Sequence, residues 1–446
     1  MNKILTAMLC LVLSITYVIG SAIAGDAEVY WPGWRGPASS GVAPNADPPI
    51  EWSEEKNIKW KIEIPGSGHA SPIVWDDRIF VLTAVETAGQ PEKAEEAESS
   101  DDSNRRGRRT QASRILAFKV LAISREDGKI LWEKTACQEL PHEGIHRTSS
   151  WASCSPVTDG KSVFAWFGSQ GLYCFDFDGN LRWGKDFGKM TVKNAFGEGT
   201  APALFENTIV TVWDHEGDSF IVALNATTGD EIWRKDRDEM TSWASPLIVD
   251  VEGVKQVVVN GSNRIRSYDL TSGKVLWECG GMTKNTIPTP VEANGLVYVM
   301  SGFRGAALRA IKLSEAKGDI TDSSAIVWAR DEDTPYVPSP VLFGDLLYFL
   351  KGRDAMLSCC NAKTGEEYFA QQRLDGLGDV YASLVGAKDH VYVVGRDGTT
   401  IVVKRGPEFK IVATNTLDDS FSASPAIVGK ELYLRGENAL YCIAEN

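Results

Sequence analysis

At eight corresponding points of a repeat along this chain a small residue stands directly before Pro or, in one copy, before Leu. The pairs are Ser71-Pro72, Ser155-Pro156, Ala201-Pro202, Ser245-Pro246, Thr289-Pro290, Ser339-Pro340, Ser383-Leu384 and Ser424-Pro425. The second positions are 72, 156, 202, 246, 290, 340, 384 and 425, so the steps are 84, 46, 44, 44, 50, 44 and 41 residues. All but the first step are the length of one four-stranded propeller blade. A second signature, a turn glycine four residues before Trp, runs in phase with the first. It reads Asp127-Gly128 before Trp132, Asp178-Gly179 before Trp183, Thr228-Gly229 before Trp233 and Ser272-Gly273 before Trp277. Thr364-Gly365 stands before Phe369 in a weaker copy, and Ala325-Ile326-Val327-Trp328 keeps the Trp without the Gly. Asp-Gly or Thr-Gly supplies a positive-φ turn between two antiparallel strands. The aromatic then packs one blade against the next.

Each unit splits into four strands. In the third they read Ala203–Phe205, Thr208–Trp213, Phe220–Leu224 and Glu231–Lys235, apolar patches bounded by Gly, Asp and Asn. The eighth unit runs out at Asn446 after three strands, while residues 57–62, carrying Trp60, form a fourth strand with no blade before it. An all-β, eight-bladed propeller of four-stranded antiparallel blades accounts for both, with the N-terminal strand completing the last blade and leaving no open edge. A repeat array also explains how 446 residues fold as one unit, since each repeat mainly contacts its neighbours.

Residues 1–24 have the form of a secretory signal peptide. Lys3 is followed by an apolar run to about Ile19, and the small residues Ser21 to Ala24 suit cleavage after Ala24. A periplasmic or secreted protein is expected, with no transmembrane segment after cleavage. Loss of Lys3 takes the formal charge from −14 to −15, which repels phosphate backbones and excludes nucleic acid as a partner. Seven cysteines remain, without zinc-type spacing. They read as buried small apolar residues rather than a disulfide framework. Residues 25–56 form an N-terminal extension and residues 57–446 the propeller. The first unit is interrupted at residues 85–114 by seven acids and six bases with almost no large apolar side chain. Such a segment reads as a disordered charged loop.

Strand order fixes two faces. The connections between blades and the turns between second and third strands share one of them, and propeller ligands bind there near the axis. The candidate ligand-binding residues on that face are His69, His146, Trp151, Glu198, Asp214, His215, Trp243, Arg304, Tyr336, Arg353, Tyr381 and Arg396. Aromatics with guanidinium groups suit a planar anion, a sugar or a peptide, but the same residues also serve to fill and cap the funnel. His142-Glu143-Gly144-Ile145-His146 matches a zinc-protease pattern. That pattern needs a helix, and Pro141, Gly144 and a position between blades oppose one. No metal site is expected.

With these signatures the chain resembles the PQQ-like propeller proteins over residues 57–446, a group that includes quinoprotein alcohol dehydrogenases and the assembly factor BamB. The opening Trp31-Pro32-Gly33-Trp34-Arg35-Gly36-Pro37 and the run from Pro65 to Pro72 are similar to a set of exported bacterial propellers. The resemblance implies either a non-catalytic binding or scaffold propeller of the cell envelope, with an envelope protein or polysaccharide as partner, or a dehydrogenase of small alcohols or sugars that uses PQQ and calcium. The dehydrogenases hold calcium with Glu and Asn, use an Asp base and rest the quinone on a Trp. Glu198, Trp243 and Arg396 suit such roles by position alone, and no motif assigns them. Cys359-Cys360 looks like the vicinal disulfide of some quinoproteins, yet Cys359 shares its third-strand slot with Cys174 and Cys442. A lipid-anchored Cys of the assembly-factor type is missing. The expectation is a monomeric binding propeller without a cofactor, and the PQQ enzyme is the alternative.

Overall fold

The computed structural model describes residues 29–89 and 109–445. The expected signal peptide, residues 1–24, and residues 90–108 of the charged insert lie outside the described residues. The architecture is eight sheets around one axis, almost without helix, and in seven of the blades four antiparallel strands pair in chain order. In blade 3 the strands are Ala203–Phe205, Thr208–Trp213, Ser219–Asn225 and Glu231–Arg237, within two residues of expectation. First strands touch across most neighbouring blades, including blades 8 and 1, so the first strands line the axis. Blade 8 is composite. Ala426–Val428, Glu431–Arg435 and Ala439–Ile443 are completed by Ile58–Glu63, which pairs antiparallel with Ala439–Ile443. The N-terminal closure expected from the sequence is therefore present.

The small residue before each Pro has a specific task. Pro lacks an N–H, so the preceding residue carries the last backbone donor before the strand. In seven of the eight interfaces that donor meets the hydroxyl of the equivalent residue in the next blade. Ser71 N donates to Ser155 Oγ at 3.0 Å, Ala201 to Ser245 at 2.8 Å, Ser245 to Thr289 at 3.1 Å and Thr289 to Ser339 at 3.0 Å. Ser339 donates to Ser383 at 2.8 Å, Ser383 to Ser424 at 2.9 Å, and Ser424 back to Ser71 at 2.9 Å. The girdle breaks once. Ala201 has no hydroxyl, and Ser155 N turns to the Thr200 carbonyl at 3.3 Å.

The Gly–Trp signature ties the blades at their outer strands. Each Trp donates its indole N–H to a carbonyl in the next blade: Trp60 to Arg125 at 3.1 Å, Trp132 to Phe177 at 2.7 Å, Trp183 to Ala226 at 2.9 Å, Trp233 to Leu270 at 2.8 Å and Trp328 to Ala362 at 2.9 Å. The turn glycine of that next blade lies under the indole. A Cβ on Gly273 would stand 2.6 Å from the Trp233 ring, and Gly273 has φ +68°. Blade 5 has lost this glycine, and Trp277 bonds instead to Gln256 of its own blade at 3.2 Å. The longer connection there returns Gly318–Asp319 as a parallel strand along the outer edge of blade 4.

The extension is built into the axis. Trp31 exchanges backbone hydrogen bonds with Val74 in blade 1's first strand, and Pro32 O accepts from Thr158 in blade 2. Trp34 Nε1 reaches Ser424 Oγ in the girdle at 3.1 Å. Arg35, 3% exposed, donates to Pro340 O and Leu384 O where the first strands of blades 6 and 7 begin. Val42–Ala43 then pairs parallel with Gly386–Ala387 of blade 7. The segment enters from the face opposite the blade connections and plugs the channel up to the girdle.

Two outcomes follow for equilibrium denaturation. Ser339→Ala strands the buried Thr289 N–H and lowers stability by about 1–3 kcal/mol. Gly273→Ala and Gly253→Ala both force a side chain into positive φ, at roughly 1–2 kcal/mol each. Only Gly273 also meets a ring, whereas nothing lies within 4 Å of a Cβ at Gly253. Gly273→Ala is expected to cost at least about 1 kcal/mol more. Equal losses would show that the indole contact is soft.

Candidate functional site

The connection between blades 1 and 2, residues 140–151, crosses the mouth of the axis on the face opposite the plug. Its Thr148 Oγ1 lies 3.3 Å from Tyr381 OH, on the connection into blade 7, and 2.7 Å from His146 Nδ1. Tyr381 OH also accepts from Arg353 Nη1 at 2.9 Å, and the Arg396 guanidinium lies over its ring at 4.8 Å. His146 meets Phe196 edge-on at 5.7 Å, and Phe196 packs on Trp243 at 6.3 Å. His69 donates its backbone N–H to Ser150 Oγ at 3.0 Å, which pins the loop from below. Five of the expected residues, His146, Trp243, Arg353, Tyr381 and Arg396, thus join one contact network.

The others make their closest contacts outside that network. Tyr336 stacks on Phe303 at 4.8 Å, and Arg304 lies over Phe303 at 5.4 Å, a second aromatic patch at blade 5. Trp151 donates to Glu143 O at 3.4 Å. Asp214 is fully buried against Arg237, with Nε and Nη2 at 2.7 and 3.0 Å, and accepts Ser242 Oγ at 2.7 Å. His215 is buried too, with Nδ1 accepting from Thr191 N at 3.0 Å. Glu198 accepts from Ser169 N and Oγ at 2.6 and 2.5 Å. Burial raises its pKa despite those two bonds. Among the described residues, a cavity of about 20 Å³ lined by Pro141, His142, Trp151, Gln170 and Glu198 opens beside it. A second, of about 10 Å³, lies between Glu198, Asp214 and Trp243. Each has room for about one water molecule.

His142 and His146 diverge. His142 Nε2 contacts Met190 O at 2.7 Å, Glu143 accepts Val192 N at 3.0 Å, and Ile145–His146 is extended. Among the described residues no cluster of His, Cys, Asp or Glu could hold a metal ion. Ile145–His146 pairs antiparallel with Arg109–Thr110, the returning end of the charged insert, so that part of residues 85–114 is ordered and joined to the loop over the axis. All seven described cysteines are free thiols, and Cys359 and Cys360 face different interblade cores. Burial pushes the Cys360 thiol up to about 12.

The reading by loop position missed Thr148 and Phe196, whereas it placed Arg435 on this face. Arg435, at the end of a strand, is 1% exposed and has two guanidinium nitrogens without partners among the described residues.

Glu198 generates a pH prediction. Its folded pKa lies above the unfolded value, so the folded state binds the proton more tightly. Stability is then lost as pH rises from the ordinary carboxylate range through the folded pKa. Glu198→Gln keeps an acceptor for Ser169 and has no charge to bury. Its melting temperature should match the parent below pH 4 and exceed it at pH 8. A constant difference across that range would contradict the buried-acid assignment.

Known structures share this geometry. BamB from Moraxella catarrhalis superposes with a TM-score of 0.54 at 14% identity, over 75% of this chain and 92% of that one. The quinohemoprotein alcohol dehydrogenase ADHIIG from Pseudomonas putida HK5 gives 0.57 at 10% identity, over 94% and 81%. At such identities the likeness is one of fold. Among curated proteins no sequence matches. Residues 117–371, more than half of the chain, match the family described as outer membrane protein assembly factor BamB. No helix among the described residues is long and apolar enough to cross a membrane. On the family match and the eight-bladed ring together, the chain belongs to that family of PQQ-like β-propeller proteins.

Proposed function

We propose that this protein is a binding or scaffold propeller of the cell envelope, without chemistry of its own, that takes an envelope protein or polysaccharide on the face carrying the blade connections. The observation that carries this reading is the loop of residues 140–151, latched over the axis through Thr148 and Tyr381. It turns the funnel mouth into a surface. Pockets for cofactor-sized ligands are typically 300–1,000 Å³, whereas the cavities beside Glu198 and Trp243 are about 20 and 10 Å³. The acids there are committed as well, Glu198 to Ser169 and Asp214 to Arg237 and Ser242. That donor set does not suit a calcium-bound quinone, so no step through one is derived. The family match to an assembly factor supports a protein partner. The N-terminal sequence, with Lys3 and the apolar run to Ile19, supports export to the periplasm or beyond.

Two measurements test the reading. Adding PQQ and calcium at micromolar concentration to the purified protein should change neither the quinone absorbance nor the rate of dye reduction with small alcohols. A spectral change with turnover would make it an enzyme. A photo-crosslinking residue at exposed Arg304 should capture an envelope partner, and one at exposed Glu252, on the opposite face, should not. Equal capture at both positions would refute the choice of face.

A further inference from the structure

Arg435 closes the second strand of blade 8, with its Cα opposite Leu440. One guanidinium nitrogen, Nη1, donates to the Gly436 carbonyl. Nε and Nη2 have no hydrogen-bond partner among the described residues, although the side chain is buried. These two nitrogens form one edge of the planar guanidinium, the fork that matches the two oxygens of a carboxylate. The charges of Asp419 and Glu437 act on Arg435, but neither carboxylate is bonded to it among the described residues. Asp419 accepts the backbone N–H groups of Ser420, Asn438 and Ala439 at 2.8, 3.2 and 3.1 Å. Glu437 faces Arg396 at 3.9 Å. Burial lowers the Arg435 pKa only to about 10, so the group remains charged at neutral pH. A buried cation with an unfilled fork is among the costliest arrangements in a protein interior.

Two further groups converge there. Arg396, from the turn in blade 7, is fixed by its Nε bond to Ser422 Oγ at 3.1 Å, on the connection into blade 8. His69 leads into blade 1, whose Ser71 hydroxyl accepts the N–H of Ser424. Burial, reinforced by the positive charges of Arg396 and Arg435, lowers the His69 pKa to about 4. The imidazole is therefore neutral at pH 7 and free to act as a hydrogen-bond donor or acceptor.

We propose that Arg435, with Arg396 and His69 beside it, forms a site for one small carboxylate anion at the junction of blades 7, 8 and 1. The fork of Arg435 takes both oxygens, and Arg396 adds a second positive charge. The site stands apart from the scaffold reading, because it concerns neither the partner surface nor a quinone, and either conclusion survives failure of the other.

The test is isothermal titration of the full chain with sodium acetate in a buffer free of sulfate and phosphate. One acetate per chain is expected. Arg435→Met, which keeps the side-chain bulk, and Arg396→Gln are each expected to weaken binding at least tenfold. Formate should compete with acetate, and chloride should compete at least tenfold less well. Absence of acetate binding, or binding unchanged in both variants, would overturn the site. Equal competition by chloride would overturn its assignment to carboxylates. Arg396 is only partly buried, so Arg396→Gln carries the test if Arg435→Met does not fold.

Discussion

Seven hydrogen bonds between one blade's last free N–H and the next blade's hydroxyl hold the centre of this propeller. Their geometry depends on the residue that follows. In six of the seven that residue is Pro, which ends the run of donors and holds its own φ near the extended region, so the preceding N–H points sideways, out of its own blade; Ser383 makes the same bond before Leu384. In each bond the acceptor residue is also the donor to the next blade, except where the chain of bonds breaks at Ala201. The bonds are buried, where an unmade one is expensive. They set a common spacing for the eight inner strands. Blades fixed at that spacing diverge outward, and the widening gap needs a large filler. Trp on the fourth strand is that filler, and its N–H finds the next blade's turn carbonyl because the turn glycine leaves room for the ring.

Closure adds a second constraint. Ile58–Glu63 must find Ala439–Ile443, nearly the whole chain away, and such a non-local pairing is a slow step in folding. The extension shares this burden. From Trp31 to Ala43 it touches the inner strands of blades 1, 2, 6, 7 and 8 before the closing strand begins. It therefore bridges the seam that Ile58–Glu63 must seal. Arg35 supports this role, because its guanidinium satisfies the carbonyls of Pro340 and Leu384 inside the channel, where water cannot easily serve them.

The ring was legible in the sequence because its determinants repeat. Period, strand limits in blade 3 and the composite last blade all follow from Pro, Gly and Trp positions. The hydroxyl was visible as well, in Ser or Thr at seven of the eight small positions. It reads merely as small until the neighbouring N–H is seen. The extension was opaque for a different reason. Arg35 and Trp34 bind backbone carbonyls and a girdle hydroxyl, and those partners carry no residue-type signature. The candidate face was legible as a face only. Strand order placed Tyr381 and His146 on it, but their link through Thr148 depends on a connection crossing the axis, which no periodicity encodes.

Pseudo-symmetry also explains why charge imbalance marks this face so clearly. The repeat delivers equivalent backbone positions in every blade, so what distinguishes the blades is the side chain at each turn and the partner it finds. Around blades 2 to 4 the acids are satisfied: Glu198 by Ser169, Asp214 by Arg237 and Ser242, and Glu239 by the N–H groups of Asn263 and Arg264. Around blades 7, 8 and 1 one buried base is left without a bonded acid among the described residues. Asp419 is consumed by the backbone and Glu437 stands 3.9 Å from Arg396, while Arg435 keeps an open fork in a buried position. Folding alone does not require that arrangement, since Met or Leu would fill the same slot at the end of an apolar strand without a buried charge. The charges of Asp419 and Glu437 offset part of that cost, and the two unbonded nitrogens carry the rest.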